Sequence, residues 1–438
     1  MRKFLLLIAA IFVLSGLRAQ RPWWPVYESI SIPNDTIEVE RVEWDPSPFT
    51  WNPDYPFLNL LAERPADLVL LNDDGCLHAW RIGADVTTFF RDAEFATQLT
   101  RGYTAVGYFL TPHVSYLLQA NAQVTLGADL TGIAGQEGFW KARPLVRIEY
   151  QPFAHWTFVM GTLYGGNSHY LYEPMWCIEN TFLDHTEQGL EIFNSHNFKG
   201  ILGRSRLVGD TWLNWQNFLE PWEPEQEVFT AGTSQRLSWE PMRMIHLKVP
   251  YRISIPFSFV GQHHGGQFSA LDTCVTSLFN ESVGVSVDMF LSKNHFSFYK
   301  GSWLTIDLPW FYYQNASPGS GKGATPYASG QGFFPQITYQ HFFDSKSEDA
   351  DGKWDRLTAQ VGYWHGSQWI APVGSYHFQS VSWHRADYLD PTRRMATGRI
   401  AYERYQGRMT FGADLEVYHD LSHAQTDCAF GLYMRAKL

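Results

Sequence analysis

The sequence predicts an all-β fold: a transmembrane, antiparallel, up-and-down β-barrel of about 14–18 strands behind an irregular, proline-rich N-terminal lead. Three observations predict it. Apolar and polar residues alternate over segments of about ten residues, the length at which a tilted strand crosses a bilayer. Aromatic residues make up 16% of the 438-residue chain yet never gather into a long apolar block. The first residues read as an export signal.

Residues 1–19 place Arg2 and Lys3 ahead of an apolar stretch from Phe4 to Leu14 and end in Leu17-Arg18-Ala19, a small-residue cleavage site. That stretch is about half the ~20 residues a spanning helix needs, so a cleaved signal peptide is expected rather than an anchor. No Cys follows the site, so no lipid is expected on the new N-terminus. Cleavage removes three of the 33 basic residues (Arg2, Lys3, Arg18) and none of the 44 acidic ones, deepening a negative charge of −11. An acidic export product is a poor match for phosphate backbones, and no nucleic-acid partner is expected. The four cysteines, Cys76, Cys177, Cys274 and Cys428, form no CxxC and no disulfide framework.

Residues 20–83 form the lead. Trp23, Trp24 and Pro25 are followed by Pro46, Pro48, Pro53, Pro56 and Pro65, a density that forbids central strands and long helices. A periplasmic extension, a plug for the barrel, or a strap against a partner would suit it.

Residues 84–438 carry the alternation. In Gln123 to Leu130, Val124, Leu126, Ala128 and Leu130 share one face, and Gln123, Thr125, Gly127 and Asp129 the other. Lys248 to Val260 and Arg408 to Tyr418 repeat the pattern, as do Val283 to Leu291, Trp303 to Trp310 and Leu357 to Trp364. On a helix, positions two apart fall about 200° apart, so both faces would be mixed. Long polar connections such as 315–332 and 344–353 alternate with short turns such as 151–153, as expected for hairpins with two unlike ends.

A soluble sandwich would turn the apolar face inward, whereas an outer-membrane barrel turns it to lipid around a wet lumen. Strand length favours the barrel. So do rings near strand ends, where a membrane girdle is expected: Trp156, Tyr164, Trp239, Tyr299, Trp303, Trp310, Tyr312, Tyr313, Trp383 and Tyr418. Asp129, Arg147, Glu149, Arg252, Asp288, Asp414 and Glu416 would then line the lumen. The last segment, Asp427 to Leu438, alternates Phe430, Leu432, Met434, Ala436 and Leu438 with polar or small residues. Here the chain resembles bacterial outer-membrane β-barrel proteins, broadly the porin-like ones, although their last strand typically ends in an aromatic and this one ends in Leu438. The resemblance implies outer-membrane localisation, surrounding membrane lipid, and the barrel-assembly machinery as a partner in biogenesis. It also admits an oligomer or an outer-membrane protein partner.

Two polar clusters carry most of the candidate chemistry. The first, from Asn167 to Glu191, offers His169, Glu173, Glu179, His185, Glu187 and Glu191; the second, from Asp210 to Glu227, offers Asp210, Trp212, Trp215, Glu225 and Glu227. His263 and His264 follow a long strand. Tryptophan faces beside paired carboxylates suit sugar binding or glycoside hydrolysis. An acid-rich extracellular or lumenal loop is the simpler account. His169, His185, His263 and His264 lack any HExxH-type spacing, so neither metal nor other cofactor is expected. Ser168-His169 and Ser195-His196 are adjacent pairs, not the geometry of a Ser-His-Asn hydrolase, and GxSxG is absent. The leading expectation is passage or binding of small polar solutes through a hydrated lumen, without enzymatic activity. The alternative is an exported soluble or surface-attached all-β protein that binds or hydrolyses carbohydrate, and a third class is a barrel-borne hydrolase, which would depend on Glu225, Glu227, His169 or His263.

Overall fold

A computed structural model describes residues 80–437 apart from parts of the connections, the longest of these being 177–187, 218–226, 242–250, 266–275, 292–300, 317–324 and 344–352. The expected signal peptide and residues 20–79 of the lead lie outside the described residues.

The wall begins with β1 (Trp80–Glu94), ahead of the boundary expected at residue 84, and continues with β2 (Tyr103–Gln119), β3 (Ala122–Ile133), β4 (Lys141–Phe153) and β5 (Trp156–Thr162). Next come β6 (Gln188–Gly200), β7 (Gly203–Asn217), β8 (Glu227–Pro241), β9 (Tyr251–Gly265), β10 (Thr276–Phe290) and β11 (Gly301–Asn315). The last six are β12 (Ser329–Phe333), β13 (Gln336–Phe343), β14 (Lys353–Ser367), β15 (Thr392–Gln406), β16 (Met409–Asp420) and β17 (Gln425–Lys437).

Each strand runs antiparallel to its neighbours, and β12 and β13 run end to end between β11 and β14, so seventeen segments make sixteen staves. The interruption falls at Phe334 and Pro335 because Pro335 has no N–H to give a ladder. Phe334 still donates its N–H to the Pro309 carbonyl at 3.1 Å. β1 pairs with β17 from Asp85↔Lys437 to Glu94↔Cys428, which closes the sheet and leaves no edge.

Alternation sets which face meets lipid. On β3, Thr125 and Asp129 are buried inside while Leu126 points out; on β9, Arg252, Ser254 and Ser258 are inside while Ile255 and Phe257 point out. Asp129, Glu149, Arg252, Asp288, Asp414 and Glu416 are all buried in the interior, and Arg147 is half-buried, donating to the Thr162 and Leu163 carbonyls. Outward rows of Leu, Ile, Val and Phe with polar residues inside are the reverse of a soluble core. The chain is an outer-membrane-type β-barrel, and the two-sheet sandwich weighed against it does not form.

The expected aromatic girdle needs correction. Trp156, Trp310 and Tyr312 do point outward, but Trp303, Tyr313 and Tyr418 are buried inside. Proximity to a strand end says nothing about parity, and adjacent residues such as Tyr312 and Tyr313 must face opposite ways. Trp239 is half-buried, and Tyr164, Tyr299 and Trp383 lie outside the described residues.

β1 starts and β17 ends at one rim, where short turns join β2 to β3, β6 to β7 and β15 to β16. The opposite rim carries the two longest connections, 163–187 and 368–391. Parts of both fold into the barrel. Leu171, Tyr172, Met175 and Trp176 from the first meet Trp369, Ile370, Ala371 and Phe378 from the second, packed against wall residues Trp212, Phe311, Phe334 and Trp364. The lumen therefore contains an apolar plug. Trp369 donates its indole N–H to the Pro174 carbonyl at 3.2 Å, and Ser375 donates its backbone N–H to the Glu173 carbonyl at 3.1 Å. Gly374 permits this approach, since a Cβ there would lie 2.2 Å from the Pro174 carbonyl oxygen.

Candidate functional site

The first site is built where the inward segment after β5 meets the walls of β6, β7 and β8. Parity turns Glu191 of β6, Asp210 and Trp212 of β7, and Ser234 of β8 into the interior, and register puts Glu191 opposite Trp212 and Asp210 opposite Ser234. His169 descends onto them. Its Nδ1 lies 2.5 Å from Asp210 Oδ2 and 3.5 Å from Glu191 Oε1. The Ser234 hydroxyl donates to the other Asp210 oxygen. The imidazole stacks on the Trp212 indole, centroids 3.6 Å apart and planes 15° off parallel, and Trp176 meets it edge-on at 5.6 Å. His169, Glu191 and Asp210 are each no more than 1% exposed.

Rings thus fix the imidazole plane, while one carboxylate fixes its Nδ1. That arrangement orients the ring and sets its tautomer. One imidazole and two carboxylates, with ligand atoms within 4.8 Å of one another, also form a donor set suited to a divalent cation.

A second network fastens the plug. The Tyr418 hydroxyl donates to Glu173, and Arg399 reaches Glu173 at 3.3 Å and Glu416 at 3.0 Å. Arg91 extends the chain to Glu416 at 2.9 Å and Asp414 at 3.3 Å. Burial pushes the Glu173 carboxyl above its ordinary value; Arg399 pulls the other way and the Glu416 charge reinforces the rise. Above Tyr418, His377 is sandwiched between the rings of Phe95 and Tyr418, at 4.9 and 3.8 Å, and its Nδ1 lies 3.1 Å from Asp427.

A third group sits at the loop-bearing rim. Asp390, Asp420 and His423 bring their ligand atoms together, but Arg393 already lies 3.4 Å from Asp390 and 3.3 Å from Asp420. A guanidinium there supplies the positive charge that a metal would otherwise bring. Burial raises the Asp390 carboxyl, against the pull of Arg393 and His423.

The sequence-derived candidates separate accordingly. His169, Asp210 and Trp212 come together with Glu191. Glu173 belongs to the Arg399 network, although it is only four positions from His169 in the chain. Trp215 shares β7 with Trp212 but faces outward, so the two indoles cannot form one sugar platform. The segment from Asp210 to Asn217 is wall strand, not the acidic loop expected, because its own alternation carries β7 that far. His263 holds Ser277 Oγ at 2.9 Å through Nδ1, apart from His169. Glu179, His185, Glu187 and Glu225 lie outside the described residues, as do the side chains of Glu227 and His264. Ser234, Arg399 and the plug segment from Trp369 to Phe378 carry no expectation from the sequence, and Tyr418 is expected only as a girdle ring. The plug segment had a readable signal: large apolar residues without alternation in a connection between strands.

Residues 76–438 match the model of a family described as lipid A 3'-O-deacylase-type. No curated protein matches. Similar solved structures include OprB of Pseudomonas putida, at 9% identity over 82% of this chain and 94% of that one, with a TM-score of 0.45. OprD of Pseudomonas aeruginosa is 9% identical over 84% and 96%, with a TM-score of 0.45. A loop-deleted OmpT of Vibrio cholerae is 8% identical over 83% and 100%, with a TM-score of 0.44.

Proposed function

This chain belongs to the lipid A 3'-O-deacylase-type family, and on that premise we propose that it is an outer-membrane ester hydrolase acting on an acylated glycolipid of the lipid A type. The observation that carries the reading is the contact between His169 Nδ1 and Asp210, buried beside the Trp176 and Trp212 rings. Asp210 holds the imidazole in one tautomer and stabilises the imidazolium. Nε2 removes a proton from water as the water oxygen attacks the ester carbonyl. The bond from the acyl carbon to the sugar oxygen then breaks, and the imidazolium returns the proton to the departing alkoxide. The loop-bearing rim faces outward and the turn-bearing rim faces the periplasm.

Fatty acid released from purified lipid A by the detergent-solubilised barrel tests this. His169→Ala and Asp210→Asn should each lose about 100-fold or more in rate, with heat-modifiable gel migration retained. Full activity in both variants, or none in the wild type, sinks the reading.

Passage of small polar solutes is the second reading, favoured by the charged interior around Arg91, Arg252 and Asp288. It requires the plug to move, as does entry of an ester to the buried His169 cluster. Steady conductance of the wild-type barrel in a planar bilayer would favour it over hydrolysis.

A further inference from the structure

On the outer wall of β10, β11, β12 and β14, side chains change character in steps toward the loop-bearing rim. Val285 and Leu308 form an apolar row. The next row holds Val283, Trp310 and Phe333, with the Trp310 and Phe333 rings stacked at 4.8 Å. One register step further lie Glu281, Tyr312 and Gln331, then Gln314 and Ser329. Their parity is fixed by Leu278, Asn280, Phe311 and Tyr313, which are buried in the lumen. Tyr312 is 52% exposed, and Glu281, Gln314 and Gln331 are exposed with it.

Glu281, Tyr312, Gln314, Ser329 and Gln331, with Gly330 and Gln368, line an open groove of about 700 Å³. Its end is shaped by Gln368, whose φ of 55° is unusual for a residue with a side chain. Gly330 lets the Gln368 backbone approach, since a Cβ at Gly330 would lie 2.1 Å from the Gln368 carbonyl oxygen.

We propose that this groove binds a neutral saccharide. The exposed Tyr312 ring offers the apolar surface on which a sugar ring rests, and the Gln314, Gln331 and Gln368 amides each offer a donor and an acceptor to its hydroxyls. No Lys or Arg is among the described residues that line it, and Glu281 adds negative charge, so a phosphate or sulfate group is disfavoured. The groove opens beyond the aromatic row, where interfacial rings mark the headgroup level. The ligand is therefore the sugar of a membrane glycolipid or a free glycan at the surface. The groove is separate from the His169 cluster, so its occupancy does not depend on the hydrolytic reading.

The test uses the whole barrel in detergent. Titration calorimetry with maltohexaose, mannohexaose and xylohexaose reads free glycan. Retention of digalactosyl diacylglycerol from mixed micelles, against phosphatidylcholine, reads lipid-linked sugar. Saturable binding in either arm is expected, weakened at least about tenfold by Tyr312→Ala or Gln331→Ala, a loss of about 1.4 kcal/mol. Should Tyr312→Ala fail to fold, Gln314→Leu supplies the same comparison. No binding in either arm, binding that folded variants leave unchanged, or tighter binding of glucose 6-sulfate oligomers than of neutral ones overturns the proposal.

Discussion

The indole N–H of Trp369 donates to the carbonyl of Pro174 at 3.2 Å, joining two connections 195 residues apart into one lumenal plug. The ring also meets Phe311 and Trp364 edge-on, at 5.6 and 5.8 Å. Trp369→Ala removes the bond and the packing together. A buried Trp truncated to Ala costs about 3–5 kcal/mol. We expect this variant to retain the barrel, to unfold at lower denaturant, and to pass ions in a planar bilayer where the wild type is closed. Unchanged conductance in a folded variant would show that Trp369 does not hold the lumen shut.

Arg399 stands between Glu173 of the plug and Glu416 of the wall. Arg399→Met leaves two buried carboxylates without that partner, a change of about 3–5 kcal/mol in comparable pairs. The double variant Arg399→Met/Glu173→Gln should recover part of the loss, because a neutral amide at 173 needs no cationic partner. Denaturant unfolding in micelles followed by tryptophan fluorescence measures both. A double variant as unstable as the sum of its single changes would argue against the coupling.

The Glu173 carboxyl lies above its ordinary value of 4.5, chiefly through burial. Its protonated form is thus favoured in the folded chain. The contribution of this group to stability is complete below 4.5 and declines as pH rises through the raised value. Glu173→Gln imitates the protonated form, so it should gain on the wild type as pH rises and converge with it in acid. Parallel stability curves for the two proteins as pH is raised from 4.5 would refute this.

Cys428 is a free, exposed thiol on the outer face of β17, opposite Glu94 and near the loop-bearing rim. With the other three cysteines replaced by Ser, it should react with a membrane-impermeant maleimide on intact cells. Labelling only after outer-membrane disruption would invert the assigned orientation.

The alternation of Thr125, Asp129 and Leu126, or of Arg252, Ser254 and Phe257, was legible because strand faces follow from a period of two along the local chain. That local rule was enough for an all-β wall, for its lipid-facing rows and for the polar residues of the lumen. It was not enough for Trp303, Tyr313 and Tyr418, because closeness to a strand end does not fix which face a ring occupies. The puzzle of many aromatics without apolar blocks has two answers: some rings face the bilayer, and others fill the barrel.

By itself, then, the sequence determined strand after strand and the sense of each face, because those depend on neighbours a few residues away. Only the tertiary structure decided what occupies the lumen and which polar groups meet. His169 and Asp210 are 41 residues apart, and Glu173 and Tyr418 are 245 apart. Such pairs exist because β1 closes on β17 and two connections turn inward, and no local period encodes either event.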